Sequence, residues 1–546
     1  MQGPFIYLLS FYILAFGQRD SAYLNIKLNN DTTTEIQNEE QIVINPLDTT
    51  NLVAVWRDFR LGYRRVGYGY SFDGGLTWNQ NLFPLGSYPR DSDPGITCDT
   101  AGTFFAVILS FNSTSEPNGL FVYKSTDGGM SWSEPVTVID GVPNVFEDKE
   151  LIACDRSGGP YTGNLYVAWT RFGYTTEILM CRSTDGGNSF VGPVTVSDVG
   201  SVQWPVTAVG PNSEVYVAWV QYSGSIEFDR STDGGQTFSS DITLQPVSFV
   251  SGYINGSILV FSFPAMDVDI TGGPNNGSIY VAYMDYSSGN TDTDIYFTRS
   301  TDGGNTWSTK QRINDDPLNN GCDQFHPWLT VAPDGSIIVV FLDRRLDSNN
   351  LLMDLYMTTS TDGGNTWSTN ERITTVSSDP TAGKYWGERN KFPQQIDYPV
   401  ITAGRAGLIG EYIGVTAFSI NDIHQIWTDT RQGNQDVFVG VPDTTQPGVA
   451  ETYTDRSRPP SILIQPNPGF EDIHIKILWN RPMLNKLSVK IYDISGRVID
   501  KFFAPVNATI IWQRKDKNGK YLNSGVYFCS VDFANKCYVK KFVLTE

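Results

Sequence analysis

STDGGNTW occupies residues 300–307 and returns unchanged at residues 360–367. Four variants precede it: SFDGGLTW from Ser71, STDGGMSW from Ser125, STDGGNSF from Ser183 and STDGGQTF from Ser231. Six copies of one octapeptide make a repeat architecture. Their aspartates, Asp73, Asp127, Asp185, Asp233, Asp302 and Asp362, lie 54, 58, 48, 69 and 60 residues apart, a period that suits one four-stranded sheet with loops of variable length. The residue types specify a tight turn. Asp accepts hydrogen bonds from loop N–H groups, the Gly pair supplies positive φ, and the closing Trp or Phe packs on a neighbouring strand. The six aspartates are therefore read as structural clasps.

A second signal runs in phase with the first. Apolar strands end in a large ring at Trp56, Trp169, Trp219, Tyr283, Phe341 and Trp427, with a weaker version, FFAVI, ending at Ile108. Each of the first six in chain order stands 14 to 21 residues before its Asp, room for a strand end, a loop and a further strand. The seventh, IHQIWTDTRQGNQDVFVGV, has no octapeptide and no fourth strand after it. AYLNIKLN, near the N-terminus, is expected to fill that exposed edge. The fold expected is all-β, a seven-bladed propeller closed by the N-terminal strand, with a six-bladed ring and an atypical cap as the alternative.

Composition agrees. The 546 residues are 40% hydrophobic and 13% aromatic with 51 Gly, favouring short strands and tight turns around a real core. The net charge of −20 has the wrong sign for tracking a phosphate backbone, so nucleic acid is excluded as a partner. Six cysteines, Cys98, Cys154, Cys181, Cys322, Cys529 and Cys537, are too scattered for a disulfide framework. Cys529 and Cys537 flank a hairpin tip and either pair across it or stay as free thiols.

The ends carry separate instructions. The apolar run Phe5 to Phe16 has the length of a signal-peptide core and is too short to cross a bilayer, with a buried first strand as the alternative. Residues 1–22 are read as an export signal, 23–440 as the propeller and 441–460, rich in Thr and Pro, as a linker. Residues 461–546 hold 13 basic and 7 acidic side chains, a net +6 that leaves −26 on the rest. Their alternating strands suggest a small antiparallel β-sandwich. No later segment has the apolar length of a transmembrane anchor, and a monomer is expected.

The octapeptide resembles the Asp-box, or BNR repeat, of the sialidase superfamily over roughly residues 50 to 440. The tail has PNP at 466–468, IYDISGRVI from Ile491, DKNGK from Asp516 and GVYF from Gly525. In that order they resemble the C-terminal sorting domain of the type IX secretion system. This resemblance implies a Gram-negative bacterium of Bacteroidota type, passage through outer-membrane secretion machinery, and a secreted or cell-surface product.

Because strand directions alternate within a sheet, the octapeptide turns define one face and the starts of the first strands open on the other. That opposite mouth should hold Arg57, Asp58 and Arg60 of WRDFR, Arg90 and Asp91 of YPRDSDP, and Glu147 to Glu150 of EDKE. It should also hold Trp204, His326 and Trp328 of FHPWL, Asp343, Arg344 and Arg345, Glu411 and Tyr412 of GEYIG, and Asp429 and Arg431. A retaining sialidase of the resembled type needs three arginines for the substrate carboxylate, a Tyr nucleophile with a Glu, and an Asp acid/base. Arg60, Arg345 and Arg431 are the candidate clamp, Tyr412 with Glu411 the candidate nucleophile pair, and Asp58 or Asp91 the candidate proton donor. Arg90, Trp204 and His326 are further candidate ligand contacts. The FRIP-type motif that supplies the first arginine in that family is missing. Asp-x-Arg also recurs after equivalent strands, at Asp58/Arg60, Asp343/Arg345 and Asp429/Arg431, a pattern that reads as an architectural ion pair, whereas Glu411 and Tyr412 break the repeat.

The three histidines show no zinc spacing, and no cofactor is expected. Acidic loops such as NTDTD near Asp292 either bind a structural Ca²⁺ or are simply solvated. Three functions follow as expectations: binding of carbohydrate or another surface ligand at the mouth, exo-sialidase-like hydrolysis, or a structural and adhesive role. Arginines that converge favour the enzyme; arginines paired within separate sheets favour the binder.

Overall fold

Each of the strands ending in a large ring forms the second strand of a four-stranded antiparallel sheet, and each octapeptide joins the third strand to the fourth. The computed structural model describes residues 21–112, 117–286, 292–383, 409–443, 461–465, 473–478, 487–504, 509–515, 519–533 and 536–545. The expected export signal lies outside them save for its last two residues, as does most of the expected linker. The chain divides into two compact units, Met1–Gln446 and Pro447–Glu546.

The first unit has seven four-stranded sheets among its described residues. Their innermost strands are Gln37–Asn45, Arg90–Cys98, Phe146–Cys154, Val202–Val209, Ala265–Val268, Gln324–Val331 and Gly414–Ser419. Each packs against the next in chain order, and Gly414–Ser419 packs against Gln37–Asn45. At that junction Gln41 Nε2 donates to Ile413 O (2.9 Å) and Ile44 N to Thr416 Oγ1 (3.1 Å). A Cβ on Gly414 would stand 3.3 Å from Gln41 Cα, so the two chains meet too closely for a side chain there.

Tyr23–Lys27 pairs antiparallel with Asp436–Pro442, Tyr23 opposite Pro442, and so completes the sheet that lacks an octapeptide, as the sequence predicts. The rings at the strand ends, Trp56, Trp169, Trp219 and Trp427 among them, are buried between neighbouring sheets. The longest octapeptide interval, 69 residues, contains an extra hairpin, Ser251–Ile254 with Ile258–Phe261.

Each octapeptide is a closed hydrogen-bond circuit. Ser300 Oγ donates to Asp302 Oδ1 and accepts from Gly304 N, both at 2.8 Å, while Thr306 donates its N–H to Oδ1 (2.9 Å) and its hydroxyl to Oδ2 (2.6 Å). Hydrogen bonding, first from Thr306, holds the Asp302 carboxyl down at about 2. The third strand then reaches the neighbouring turn. Arg299 donates to Gly363 O and Asn365 Oδ1, and Arg230 to Gly303 O and Asn305 Oδ1.

The second unit has two antiparallel sheets, one of Ser461–Gln465, Ile473–Leu478 and Thr509–Trp512, the other of Val498–Ala504, Leu487–Asp493, Gly525–Phe533 and Lys536–Leu544. Ile473 and Ile475 from the first share one core with Val489, Ile491 and Phe542 from the second. The hairpin register sets Cys529 opposite Lys540 and Cys537 opposite Asp532, and Cys529 is a buried free thiol, so the cross-tip disulfide does not form.

Candidate functional site

Near the mouth, five of the innermost strands carry a bulge at the same position. The pairing register breaks between Asn38 and Gln41, Ser92 and Gly95, Asp148 and Leu151, Gln203 and Val206, and Phe325 and Trp328. One residue in each bulge has left-handed backbone: Glu39 (φ 56°), Asp93 (49°), Lys149 (60°), Trp204 (56°) and His326 (48°). Such angles are costly for residues with a Cβ and persist where the surrounding fold imposes them. Pro94, Pro205 and Pro327 follow three of these residues, at positions where a bulge leaves no ladder N–H to supply.

On one side the bulges gather charge. Lys149 Nζ lies 2.8 Å from Asp93 Oδ2 and 3.8 Å from Asp148 Oδ1, and also pairs with Glu411. Arg57 Nη1 is 2.8 Å from Glu39 Oε1, with its Nε donating to Asn38 Oδ1 (2.9 Å). Thr428 Oγ1 donates to Glu40 Oε2 (3.0 Å). Glu39, Glu40, Asp93, Glu150 and Glu411 are all buried.

The ionisation of Glu40, Asp93, Asp148 and Glu150 is pulled in opposite directions. Burial lifts Glu150 well above the usual carboxyl range, helped by the Asp93 charge, and lifts Glu40 to about 8. Asp148 rises to about 7, burial outweighing Lys149. Burial also opposes ionisation of Asp93, but the charges of Lys149 and Arg57 hold its carboxyl well below the usual range.

On the other side the bulges present rings. Trp204 lies 4.3 Å from Phe261 of the extra hairpin and 6.5 Å from Phe263, centroid to centroid, and Trp328 lies 6.1 Å from Tyr412. Between the two halves is a small pocket of about 20 Å³, room for about one water molecule, lined by Asp93, Lys149, Glu150, Trp204, Phe263, Trp328 and Tyr412, among others. Neither carboxyl oxygen of Glu150 meets a donor from another described residue, and the Trp204 indole N–H meets no acceptor among them.

Of the residues expected at the mouth, Arg57, Asp148, Lys149, Glu150, Trp204, Trp328, Glu411 and Tyr412 reach this cluster. The Tyr412 hydroxyl donates to Pro94 O (3.2 Å), and burial first, then Glu39, Asp93 and Glu150, push its ionisation well up. Glu411 pairs with Lys149 instead of the phenol, so the pair lacks the base-to-hydroxyl contact a tyrosine nucleophile requires. His326 is buried beside Phe263 and Phe325, its ring pushed down to about 3 by burial, and it does not line the pocket.

The arginine clamp is corrected by the geometry. Arg60 pairs with Asp58 (2.6 Å), Arg345 with Asp343 (2.7 Å) and Arg431 with Asp429 (2.7 Å), each within its own sheet, and no acceptor is shared among the three. Asp58 and Asp429 also accept the indole N–H of Trp56 (2.8 Å) and Trp427 (2.9 Å). Asp58 is thereby committed to holding its own strand end rather than donating a proton at the mouth. Asp91 is likewise held by Arg65 (2.8 Å) and Ser110 (2.9 Å), and Arg90 reaches Asn112 O (3.0 Å); neither lines the pocket.

Glu39, Glu40, Asp93 and Phe263 were missed as site residues. A signal for part of the ring was present: Asp93-Pro94, Trp204-Pro205, Phe263-Pro264 and His326-Pro327 are X-Pro pairs at one recurring position. Near Asp292, the carboxylate Oδ2 accepts from Gly321 N (2.8 Å) and Asp294 Oδ1 from Arg312 (2.6 Å), so both serve protein donors.

Residues 180–391 match the BNR repeat-like domain family, and residues 463–545 match the secretion system C-terminal sorting domain. No curated protein matches the sequence. Among solved structures, a Hadza microbial sialidase is 16% identical over 56% of this chain and 63% of its own, with a TM-score of 0.40. The intramolecular trans-sialidase from Ruminococcus gnavus is 14% identical over 60% and 94%, with a TM-score of 0.43. A Penicillium chrysogenum alpha-L-arabinanase complexed with arabinobiose is 13% identical over 77% and 97%, with a TM-score of 0.39. The sorting domain marks this protein as secreted or cell-surface and as a client of the type IX machinery. Among the described residues no helix is long and apolar enough to cross a membrane.

Proposed function

We propose that the chain is an exported seven-bladed propeller that binds an uncharged glycan at its mouth. Export would begin from the signal at residues 1–22 and be completed through the sorting domain at 461–546, beyond a linker at 441–460. Seven four-stranded sheets and the contact of the last innermost strand with the first support the blade number.

The observation that carries the binding reading is the pairing of unsatisfied polar groups with ring faces in one pocket. Glu150 and the Trp204 N–H line it without partners from other described residues, beside Phe263, Trp328 and Tyr412. A sugar hydroxyl is both donor and acceptor and is about the size of the one water the pocket holds, so it can satisfy the two groups. A sialic acid carboxylate would instead meet Asp93 and Glu150, because Lys149 is already engaged by Asp93 and Glu411.

The test is a glycan array probed with the full chain, followed by calorimetry on the glycans that bind. Neutral glycans should bind, sialylated ones should not, and Trp204→Ala should weaken binding at least about tenfold. Binding confined to sialosides, or unaffected by Trp204→Ala, would refute this reading.

A further inference from the structure

A pocket with room for about one water admits a single hydroxyl, so the sugar that carries it, and any sugar joined to it, must lie outside on the rim. Exposed tyrosine rings stand there. Tyr222, on the turn after Val215–Gln221, is 42% exposed, and its ring centroid lies 6.4 Å from that of Trp204. Its hydroxyl donates to Gln203 of the same bulge, and burial of that end first, then the Glu411 charge, pushes its ionisation up to about 12. Tyr253 stands opposite Leu259 in the extra hairpin, as Ser251 stands opposite Phe261. Opposed residues of an antiparallel pair share a face, and Leu259 and Phe261 pack with Trp204 in one buried cluster. Tyr253, 52% exposed, therefore lies on the hairpin face turned towards Trp204. The hairpin is held in place by Arg344, which donates to Asn255 O (3.1 Å), and by Asn255 Nδ2, which donates to Asn349 O (2.8 Å). Tyr174, fully exposed, tips the corresponding turn of the neighbouring sheet. That turn is braced against the sheet of Tyr222: Val202 N donates to Thr176 Oγ1 (2.7 Å), and Tyr222 N to Ser201 O (2.9 Å).

Resting on the reading that a neutral glycan places one hydroxyl in the pocket, we propose that Tyr222, Tyr253 and Tyr174 are sugar-stacking subsites outside it, and that the ligand is a neutral oligosaccharide chain rather than a single sugar. The pocket fixes one sugar through its hydroxyl, because Glu150 and the Trp204 N–H offer an acceptor and a donor that one hydroxyl can meet and an apolar side chain cannot. Tyr222 and Tyr253 flank that sugar, and Tyr174, one sheet further round the ring, takes a later one. Sugar rings lay apolar C–H faces on tyrosine while the hydroxyls at their edges stay in water, so the exposed rings are covered without stripping water from the ligand. The bond from Tyr222 to Gln203 sets its ring beside Trp204 before any ligand arrives, which limits the freedom lost on binding.

The test is calorimetric titration of the full chain with arabino-, xylo-, cello-, manno- and galacto-oligosaccharides, each from the single sugar upward. In the series that binds, affinity should rise at least about tenfold from the single sugar to the longest member. Tyr174→Ala should remove about threefold or more of that gain and leave the single sugar within about twofold of the parent, and a fully exposed side chain can be cut back with the fold intact by circular dichroism. Tyr222→Phe keeps the ring and loses the bond to Gln203, so it should bind more tightly than Tyr222→Ala at every length. Tyr521→Ala, at an exposed tyrosine of the second unit, should bind like the parent. Affinity independent of length, Tyr174→Ala matching the parent on the longest member, or equal weakening by Tyr521→Ala would overturn the stacking subsites while leaving the hydroxyl reading in place. Failure of every series at every length would overturn the binding reading, and this proposal with it.

Discussion

The Lys149 ammonium sits 2.8 Å from the Asp93 carboxylate, joining two adjacent bulges whose residues both have left-handed backbone. The same ammonium contacts Asp148 and Glu411, so one cation serves three acidic groups in a region where neither Lys149 nor Asp93 is more than 11% exposed. Removing one partner of a buried ion pair leaves the other charge uncompensated and costs about 3–5 kcal/mol. Lys149→Met should therefore lower unfolding stability by that amount, measured by denaturant titration at pH 7. A loss below about 1 kcal/mol would mean that water already screens the cluster.

Glu40 gives the pH dependence a direction. Its folded-state ionisation, raised by burial from 4.5 to about 8, means that the native state keeps a proton the unfolded chain has released. The stability is full below about pH 4.5 and is lost as pH climbs towards 8, a cost of about 3 kcal/mol by pH 7. Glu40→Gln retains an acceptor for Thr428 and removes the titration. It should match the parent near pH 5 and exceed it in denaturant midpoint at pH 8. Equal midpoints at both values would show that Glu40 ionises without penalty.

The turns and the strand order were legible because their chemistry is local and repeated: Ser300, Asp302, Gly304 and Thr306 close their circuit within seven residues. The missing strand was legible too, since an unpaired edge at Asp436–Pro442 needs a partner. The pocket was not. Asp93 and Phe263 were not expected, and the directions of Asp93, Lys149 and Trp204 rest on a left-handed backbone that no propensity announces. The Asp-x-Arg pairs misled for the complementary reason. Side-chain direction at Asp58 is set by the Trp56 indole two residues earlier, a contact invisible in a list of charged residues.

Arg431 tests that reassignment. Its guanidinium spans Asp429, Asn25 Oδ1 (3.0 Å) and Thr375 Oγ1 (3.1 Å), tying the N-terminal strand to the sheet it completes. Arg431→Met should cost about 1–3 kcal/mol through lost charge-assisted hydrogen bonds, yet leave affinity for neutral glycans within about twofold. Loss of glycan affinity without loss of stability would return this arginine to the binding surface.

The contacts between neighbouring sheets lead to the last expectation. Arg299 forks onto the next octapeptide, its two terminal nitrogens meeting Gly363 O and Asn365 Oδ1, and Arg230 does the same one sheet earlier with Gly303 and Asn305. A lysine keeps the charge but lacks the planar fork, and its single ammonium cannot reproduce both bonds in the same geometry. Arg299→Lys should therefore lose most of what Arg299→Ala loses, about 1–2 kcal/mol in denaturant unfolding, instead of sitting near the parent as a purely electrostatic contact would. The loss should persist in 1 M salt, where the Debye length shrinks to about 3 Å, because the acceptors are a carbonyl and an amide rather than a carboxylate. Parent-like stability of Arg299→Lys at low salt, fading at high salt, would assign the contact to long-range charge instead of to the fork.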